Sequence, residues 1–399
     1  MHFYGYPRKD GSFGTRNNVV IMSSVVCANA VVTAIARECP GVLAITHDHG
    51  CGGTAEIALR VLPNIGLNPN YTSVLVVGLG CEGAAPEEIA RRIGESGKPV
   101  EYLVIQKEGG SAPATEKGIK LAQRMLTAAN GEARVNVGLE HLTLGLKCGG
   151  SDAFSGVTAN PAVGVAADML IKAGGQVIVA EITETVGTAQ ILKRRAIDPS
   201  IARKIEAYVQ IGVKSNQWYA KRTPSSGKGN TSSVSPGNVE GGISNIVEKS
   251  MGCITKWGSM PISDCIPYGV RPRTKGLVMM ETDGYDLEAL TGMAAGGAQV
   301  MIFTTGRGNS VGFVGVPVIK VASNTVTYSS MPGDLDINAG TILDGINTIP
   351  EVGRHIFDTI IKVAGGEPVR AEINHQELFA IRQEGFPYPS LKDIARKRL

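Results

Sequence analysis

Apolar, β-branched runs alternate with helical patterns through the first third of the chain. Asn18–Val26 (NVVIMSSVV) is one such run, and Val42–Thr46, Ser73–Val77 and Val100–Gln106 repeat the pattern. The intervals between these runs have the spacing of apolar residues that is typical of helices. Repeated strand–helix units predict a parallel sheet with helices on both faces. We therefore predict an N-terminal α/β domain over residues 1–132.

The pattern changes near Gly131 and returns to strand–helix alternation in the last part of the chain, where Gly276–Met280 and Val316–Val321 are predicted strands. For residues 133–399 we predict a second α/β region, Rossmann-like but not nucleotide-binding. Within it, residues 223–242 consist mostly of Gly, Ser, Pro and Asn. This composition predicts an irregular loop, which is either a surface linker or a lid over a site.

Composition narrows the class of protein. Apolar residues make up 43% of the 399 residues, which is enough for a sizeable core and excludes a disordered or disulfide-stapled chain. The net charge of +3 gives no electrostatic reason to expect nucleic acid or a membrane as a partner. The sequence has no apolar run of about 18 residues and no signal peptide. We expect a cytoplasmic protein whose seven cysteines are reduced.

The turns after the predicted strands collect most of the reactive side chains. In the N-terminal domain these residues are Cys27, Asn29, His47, Asp48, His49, Cys51, Cys81, Glu82 and Lys107. Right-handed crossovers place the turns after successive parallel strands along one edge of a sheet. Ligands of open α/β sheets bind at that edge. The sequence therefore predicts a functional site there.

Histidine and cysteine side chains in glycine-rich turns suggest a metal site. HDHGCGG at 47–53 packs two imidazoles, a carboxylate and a thiol together, and KCGGSD at 147–152 repeats the Cys-Gly-Gly theme. Imidazole with thiolate suits iron or zinc. The thiolates of Cys51, Cys81 and Cys148 could hold an iron–sulfur cluster with one open iron, or share a mononuclear metal with His47 or His49. Both alternatives remain open at this point.

GLGCEG at 78–83 matches G-x-G-x-x-G between a strand and a helix, as a dinucleotide site requires. The next strand, however, ends in Gln106–Lys107, where an acidic residue would bind the ribose. We therefore expect no NAD and interpret the motif as a tight turn that presents Cys81 and Glu82.

Two further turns have alternative interpretations. TTGRGN at 304–309 offers backbone N–H groups and a guanidinium to a carboxylate, or is a simple tight turn with a solvated arginine. GDLDINAG at 333–340 could position a sugar hydroxyl or a metal through Asp334 and Asp336, or could be a capped turn.

The motifs together resemble those of one enzyme family. GYPRKDGSFGTRN, HDHGCGG, GLGCE, KCGGSDAFSG, GNVEGGISNIVEKS and TTGRGN occur in this order. They resemble the altronate dehydratase and galactarate dehydratase family, which also includes the large subunit of (2R)-sulfolactate sulfo-lyase. The resemblance implies a lyase that removes water or sulfite from a 2-hydroxy carboxylate. It also implies a divalent metal, Fe²⁺ first and Mn²⁺ as the alternative.

For a dehydratase of this kind we expect a 2-keto-3-deoxy acid as product. A different class of function would be a non-catalytic metal- or ligand-binding subunit. The metal candidates are His47, His49, Cys51, Cys81 and Cys148. The acid–base candidates are Lys147, Glu82, Asp152 and His49, of which lysine needs a lowered pKa. The substrate-binding candidates are Arg16, Asn29, Arg307, Asn324 and Asp336.

The resemblance also implies partners. Galactarate dehydratase carries a small β-rich module ahead of this region, whereas GYPRKDGSFGTRN begins here at Gly5. Two-subunit members of the family supply that module as a separate chain. We therefore expect a small partner subunit, a homo-oligomer, and a small-molecule hydroxy acid as substrate.

Overall fold

The computed structural model describes residues 1–52, 55–222 and 234–382. Residues 223–233 of the predicted irregular loop lie outside the described residues. Its remaining part contains a short helix at Pro236–Glu240, in which Ser235 caps the first turn.

The N-terminal part alternates strands and helices as the apolar pattern predicts. Its strands are β1 (His2–Pro7), β2 (Phe13–Gly14), β3 (Asn18–Ser23), β4 (Val42–Ile45), β5 (Tyr71–Gly78), β6 (Val100–Val104) and β7 (Val135–Gly138). Its helices are α1 (Asn29–Glu38), α2 (Ala55–Gly66), α3 (Pro86–Gly94) and α4 (Ser111–Ala129). Four of the strands form a parallel sheet in the order β4-β3-β5-β6.

The C-terminal part builds a larger parallel sheet. Its strands are β8 (Thr143–Cys148), β9 (Gln176–Val179), β10 (Ile262–Ile266), β11 (Gly276–Met280), β12 (Val300–Thr305), β13 (Val318–Ala322) and β14 (Ile337–Asn338). Its helices are α5 (Ala159–Lys172), α6 (Ala189–Lys193), α7 (Pro199–Arg222), α8 (Pro236–Glu240), α9 (Ile246–Cys253), α10 (Asp286–Ala295), α11 (Thr325–Ser330), α12 (Ile349–Ala364) and α13 (Arg370–Ile373). The order is β10-β11-β9-β8-β12-β13-β14. The predicted α/β class is confirmed.

A small antiparallel sheet joins the chain start to the second half. It has the order β2-β1-β7, with Phe3 opposite Val137. Phe3 is buried in the core of the larger sheet, so the first strand belongs structurally to both halves of the molecule.

One apolar core links the two parallel sheets. Helices α2 and α10 pack against each other, and Leu62 and Met293 belong to the same buried cluster. Tyr71 on β5 donates to the carbonyl of Val314 at 2.7 Å. These contacts hold the two sheets together through buried surface on both sides. Among the described residues, no helix combines the length and apolar character needed to cross a membrane.

Each parallel sheet has one point at which the strand order reverses. In the first sheet β3 is followed by β4 on one side and by β5 on the other; in the second, β8 is followed by β9 on one side and has β12 on the other. Open parallel sheets bind ligands at the carboxyl ends of strands beside such a point. The fold therefore offers two crevices, one bordered by the turns after β3 and β5 and one by the turns after β8 and β12.

Candidate functional site

The turns after β3, β4 and β5 lie against one another at the edge of the first sheet. The backbone N–H of Val26 donates to the carbonyl of His49 at 2.8 Å, and that of Gly83 donates to the carbonyl of Cys51 at 3.4 Å. Backbone hydrogen bonds thus bring together the segments that carry Cys27, His49 and Cys81, as their common sheet edge predicts.

Glu82 holds the turn after β5. Its carboxylate accepts the backbone N–H groups of Leu79, Gly80 and Cys81 at 3.0, 2.7 and 2.9 Å and the hydroxyl of Ser24 at 2.7 Å. Burial by itself raises the pKa of Glu82, but the hydrogen bonds from Ser24 and the turn outweigh it and lower the pKa. The carboxylate is ionised and fully engaged, so it fixes the turn and has no free lone pair for proton transfer.

The two histidines of the 47–53 motif differ in what their ring nitrogens do. Nε2 of His47 donates to the carbonyl of Ser23 at 2.9 Å, and its Nδ1 accepts the backbone N–H of His49 at 3.2 Å. Burial lowers the pKa of His47 to about 4, so the ring is neutral near pH 7. Both nitrogens of His47 are occupied, and the ring fastens this loop to the end of β3.

His49 is buried but keeps one nitrogen free. Its Nε2 donates to the carbonyl of Ile381 at 3.1 Å, which leaves Nδ1 with a lone pair. This Nδ1 is buried and has no hydrogen-bond partner among the described residues. A buried, oriented imidazole with a free lone pair can accept a proton or bind a metal.

The cysteines separate into two groups. The exposed thiols are Cys27, Cys51 and Cys81, and the other four cysteines are buried. Cys51 and Cys81 share a hydrogen bond. Desolvation raises the pKa of Cys81 most, and the nearby Cys51 raises it further. Cys27 also raises the pKa of Cys81. Cys148 contacts Cys253 instead, with 3.8 Å between the sulfurs. The structure therefore places Cys148 at the second sheet and gives Cys51 and Cys81 a different neighbour, Cys27.

Cys148 belongs to a buried polar group at the ends of β8 and β9. Ligand atoms of Cys148, Glu181, Glu184 and Cys253 all lie within 4.8 Å of one another. The thiol of Cys148 donates to Glu184 at 3.1 Å. Thiolates and carboxylates bind divalent metals, so this group could hold a metal ion.

The ammonium group of Lys256 contacts three members of this buried group. Nζ of Lys256 lies 2.7 Å from the sulfur of Cys253, 3.2 Å from that of Cys148 and 2.9 Å from Oε2 of Glu181. Burial alone lowers the pKa of Lys256, but the neighbouring sulfurs and carboxylates raise it well above its usual value. Lys256 therefore supplies the positive charge that a bound cation would otherwise provide.

Lys147 is likewise held as an ammonium. It pairs with Glu181, lies 3.1 Å from Asp286 and donates to the carbonyl of Cys148 at 2.8 Å. Burial lowers the pKa of Lys147, but the carboxylates, Glu181 above all, reverse the effect and raise it. The sequence analysis allows Lys147 to act as a base only if its pKa is lowered. The carboxylates around it raise its pKa instead.

Glu181 takes a strained backbone to reach both lysines. Its φ of 73° lies in the left-handed region, which side chains other than glycine rarely adopt. Its N–H donates to the Thr282 hydroxyl, which ties the end of β9 to the end of β11. Strain of this kind persists only where the surroundings over-determine it, as they do at many functional sites.

A cavity of about 40 Å³ borders the buried group. It is lined by Cys148, Asp152, Asn160, Lys249 and Cys253, among other residues. A space of this size accommodates a water molecule or a small ion.

Asp152 and Asn324 bind each other at the second crevice. Asp152 accepts from Ser155 and from the hydroxyl of Ser323 at 2.8 Å, and Nδ2 of Asn324 donates to its other oxygen at 2.9 Å. Asn324 also caps α11 by accepting from Thr327. Both side chains therefore shape the loops here. Arg307, on the neighbouring turn, is half-exposed and pairs with Glu240 at 2.9 Å.

Three other predicted substrate-binding residues are engaged within the protein. Arg16 forms a two-pronged pair with Glu372 at 2.6 and 2.7 Å. Asn29 donates to the carbonyl of His47, and the carboxylate of Asp336 accepts the backbone N–H groups of Lys320 and Arg370. Their observed contacts tie loops and helices together.

Several residues of the buried group are not among the site residues predicted from the sequence. They are Glu181, Glu184, Lys249, Cys253 and Lys256. One signal was present, because Lys249, Cys253 and Lys256 follow one another at intervals of four and three residues, which is one face of a helix. Glu181 and Glu184 follow the carboxyl end of β9, where ligands of parallel sheets usually bind, so their position in the sequence was a second signal.

A second acidic pair lies after β11. Glu288 hydrogen-bonds to Asp283, and the two are close to Arg382, which stacks on Tyr268 with 4.6 Å to the ring centre. Burial, and then the charge of Asp283, raise the pKa of Glu288 to about 9. At neutral pH Glu288 therefore carries a proton.

Two family models match the chain. The model described as D-galactarate/Altronate dehydratase, C-terminal, matches residues 139–386, and the one described as D-galactarate dehydratase/Altronate hydrolase, second domain, matches residues 5–130. The chain belongs to the galactarate/altronate dehydratase family. The resemblance seen in the motifs is thereby confirmed.

Relatives within the galactarate/altronate dehydratase family are similar over almost the whole chain. Galactarate dehydratase (L-threo-forming) of Escherichia coli (strain K12) is 36% identical, over 92% of this chain and 73% of its own length. Altronate dehydratase of Bacillus subtilis (strain 168) is 35% identical, over 96% and 78%. The (2R)-sulfolactate sulfo-lyase subunit beta of Chromohalobacter salexigens is 29% identical, over 95% and 97%. Dehydratases are hydro-lyases, so the predicted enzyme class, a carbon–oxygen lyase, is confirmed.

Replacing Lys256 with methionine should lower the free energy of unfolding by about 3–5 kcal/mol, because Glu181 would lose one of its two buried cations. Urea unfolding of chelator-treated protein measures this loss. Lys204→Met is the matched control, since Lys204 pairs with Asp264 at the surface and should contribute no more than about 1 kcal/mol. A Lys256→Met variant as stable as the wild type would contradict the assigned charge balance.

Glu288→Gln should change how stability depends on pH. Between about pH 5 and 9 the folded protein keeps a proton on Glu288 that the unfolded chain releases, so the wild type loses stability as pH rises through this window. The glutamine variant lacks this contribution and should lose less over the same range. Thermal unfolding at several pH values tests this, with exposed Glu116→Gln as the control. Parallel curves for wild type and Glu288→Gln would rule it out.

Proposed function

We propose that the protein is a metal-dependent hydro-lyase that dehydrates a sugar acid of the altronate or galactarate type to a 2-keto-3-deoxy acid. The substrate class rests on the relatives, because the two dehydratases are 35% and 36% identical and the sulfo-lyase subunit 29%. The structural observation that carries the reaction type is His49, whose buried Nδ1 is free and whose orientation is set through Nε2.

The reaction needs a base beside the substrate carboxylate. Dehydration removes the proton on the carbon next to the carboxylate and expels a hydroxyl from the following carbon. We assign proton removal to Nδ1 of His49, because Ile381 holds the other nitrogen as its N–H donor. His47 cannot share this role without giving up its hydrogen bonds to Ser23 and to the backbone of His49.

The donors present at the first sheet edge fit a metal better than those of the buried group. Cys51 is an exposed thiol two residues after His49 and shares a hydrogen bond with exposed Cys81, whereas Lys256 already compensates the buried sulfurs. We propose that Cys51 and Cys81 help to hold iron, with Mn²⁺ as the alternative ion. When bound, such a metal stabilises negative charge on the substrate and the departing oxygen.

Arg307 is the best remaining clamp for a substrate carboxylate. Its guanidinium is 45% exposed and is paired with Glu240, itself 67% exposed. A substrate carboxylate can replace this weakly held partner and gain a bidentate contact. Asp152 and Asn324 would then support the turn that presents Arg307.

Sulfo-lyase activity is the second candidate, because one of the relatives is a sulfo-lyase subunit. That relative, named as subunit beta, is 29% identical to this chain. A subunit named beta acts with another subunit, so we also propose that a small β-rich chain completes the site. The same base would serve this reaction, with sulfite as the leaving group instead of hydroxide.

The anaerobically iron-loaded protein should form a 2-keto-3-deoxy acid from altronate or galactarate. The assay follows keto acid and sulfite with altronate, galactarate and sulfolactate, each with and without the small chain. Sulfite from sulfolactate alone would select the alternative reaction. No turnover in any arm, with metal bound, would contradict both and favour a non-catalytic binding subunit.

His49→Gln should lower kcat by about 10²–10⁴-fold with iron content unchanged, because the amide cannot accept the substrate proton. Metal analysis and steady-state kinetics on the same sample measure both quantities. His355→Gln, on the exposed face of α12, is the matched control and should behave as wild type. Loss of iron together with turnover would make His49 a ligand instead of the base, and unchanged turnover would remove it from the site.

A further inference from the structure

A polar cavity of about 300 Å³ lies at the amino ends of the strands. One wall comes from the second sheet, with Thr143 at the start of β8, Gln176 at the start of β9 and Gln299 just before β12. The other wall comes from the N-terminal part, with Asp10 between β1 and β2 and Pro69 before β5. Pockets that hold small ligands begin at about this volume. The cavity therefore has room for a small molecule between the two parts of the chain.

This cavity is remote from both carboxyl edges. Strand β5 runs for eight residues, with Pro69 before its start and Cys81 after its end. A parallel strand rises about 3.3 Å per residue, so the two ends of β5 are about 23 Å apart. Strand β8 likewise has Thr143 at one end and Cys148 at the other. A ligand in this cavity is therefore not the substrate bound at either strand-end crevice.

Two cationic side chains in the cavity wall lack a carboxylate partner. Arg271 and Lys275 line the cavity, and neither forms an ion pair among the described residues. Nη2 of Arg271 donates to the carbonyl of Leu67 at 3.0 Å, and Nζ of Lys275 donates to the carbonyl of Glu140. Nε of Arg271 is buried and has no hydrogen-bond partner in the same part of the chain. Neutral carbonyls orient these groups but do not neutralise them.

One carboxylate, Asp10, shares the wall with these cations. Its Oδ1 accepts the backbone N–H and the hydroxyl of Ser12 at 3.0 and 2.6 Å. Burial raises the pKa of Asp10, but the Ser12 hydrogen bonds outweigh it, and the charges of Arg271 and Lys98 also lower the pKa. Asp10 is therefore ionised, and it offsets only part of the positive charge around the cavity.

The behaviour of Lys98 shows which sign of charge prevails here. Lys98 is buried behind the wall, and its Nζ donates to the carbonyl of Asn68 at 2.6 Å. Burial lowers the pKa of Lys98 most, the charges of Arg8 and Arg271 lower it further, and Asp10 opposes them with the smallest effect. The electrostatic potential of the neighbouring charges is therefore positive, which favours an anion.

We propose that this cavity binds a small oxyanion with two or more negative charges, a phosphate or a dicarboxylate, through Arg271 and Lys275. A guanidinium binds carboxylate and phosphate oxygens in bidentate fashion, and an ammonium adds a second charged donor. His141 lines the same wall and becomes a further donor when protonated. The proposal does not rest on the proposed function, because the cavity contains none of the residues assigned to it.

The guanidinium of Arg271 is positioned before any anion arrives. Leu67, whose carbonyl it contacts, directly follows α2, and Gly297 lies just after the end of α10. Gly297 has a φ of 96°, and a β-carbon there would lie 3.6 Å from Nε and Nη2 of Arg271. Cations are favoured at the carboxyl ends of helices. Arg271 is therefore fixed between two helix ends, so less entropy is lost when an anion binds.

Isothermal titration calorimetry of the full, metal-free chain with inorganic phosphate tests the proposal. At constant ionic strength, we expect one phosphate per chain and a higher Tm in phosphate than in chloride, because the anion binds only the folded protein. Galactarate, titrated alone and in competition with phosphate, distinguishes the two kinds of oxyanion, since the tighter binder is the preferred class. Neither heat nor a Tm shift with either anion would overturn the proposal.

Single variants locate the anion. Lys275→Glu and Arg271→Gln should each raise the Kd for the preferred anion at least about tenfold, because a charge-assisted hydrogen bond is lost. Lys275 is exposed, so Lys275→Glu decides the question even if Arg271→Gln fails to fold. Arg273→Gln is the matched control, because Arg273 is exposed and does not line the cavity.

A further variant separates this cavity from the proposed substrate clamp. Arg307→Gln should keep the wild-type Kd for phosphate, because Arg307 lies on the turn after β12, at the opposite end of that strand from Gln299. Unchanged affinity in Lys275→Glu with the fold intact, or lost affinity in Arg307→Gln, would overturn the assignment to this cavity.

Discussion

The carboxylate of Glu181 is the interaction on which the second sheet edge depends. It is buried, and it pairs with both Lys147 and Lys256. Ions taken out of water are tolerated only when partners surround them on every side, and loss of one partner is expensive. The ends of β8 and β9 and the helical turn at Ile254–Trp257 must therefore all be in place together.

Because its ions must all be paired, the buried group already contains the cations that neutralise its carboxylates. Three lysines face three carboxylates there, namely Lys147, Lys249 and Lys256 with Glu181, Glu184 and Asp286. The charges balance within the protein, so a bound cation is not needed to neutralise them. Glu181 accepts a left-handed backbone as the cost of reaching both ammonium groups.

The first sheet edge is built in the opposite way. Backbone hydrogen bonds and the engaged side chains of Glu82 and His47 hold its turns, and Nδ1 of His49 has no hydrogen-bond partner among the described residues. A buried, oriented imidazole nitrogen of this kind can accept a proton or bind a metal. The two edges therefore differ in their chemistry: the second balances buried charges within the protein, and the first carries exposed thiols.

The sequence by itself determined the α/β class, the strand positions and the sheet edge where polar groups gather, because strand periodicity and strand-end placement are local properties. The predicted strand Gly276–Met280 coincides with β11, and Ser73–Val77 lies within β5. Only the tertiary structure decided which groups are free, because a hydrogen-bond partner such as Ile381 for His49 lies hundreds of residues away. For the same reason only the tertiary structure places Cys148 against Cys253 and brings Cys27 near Cys81.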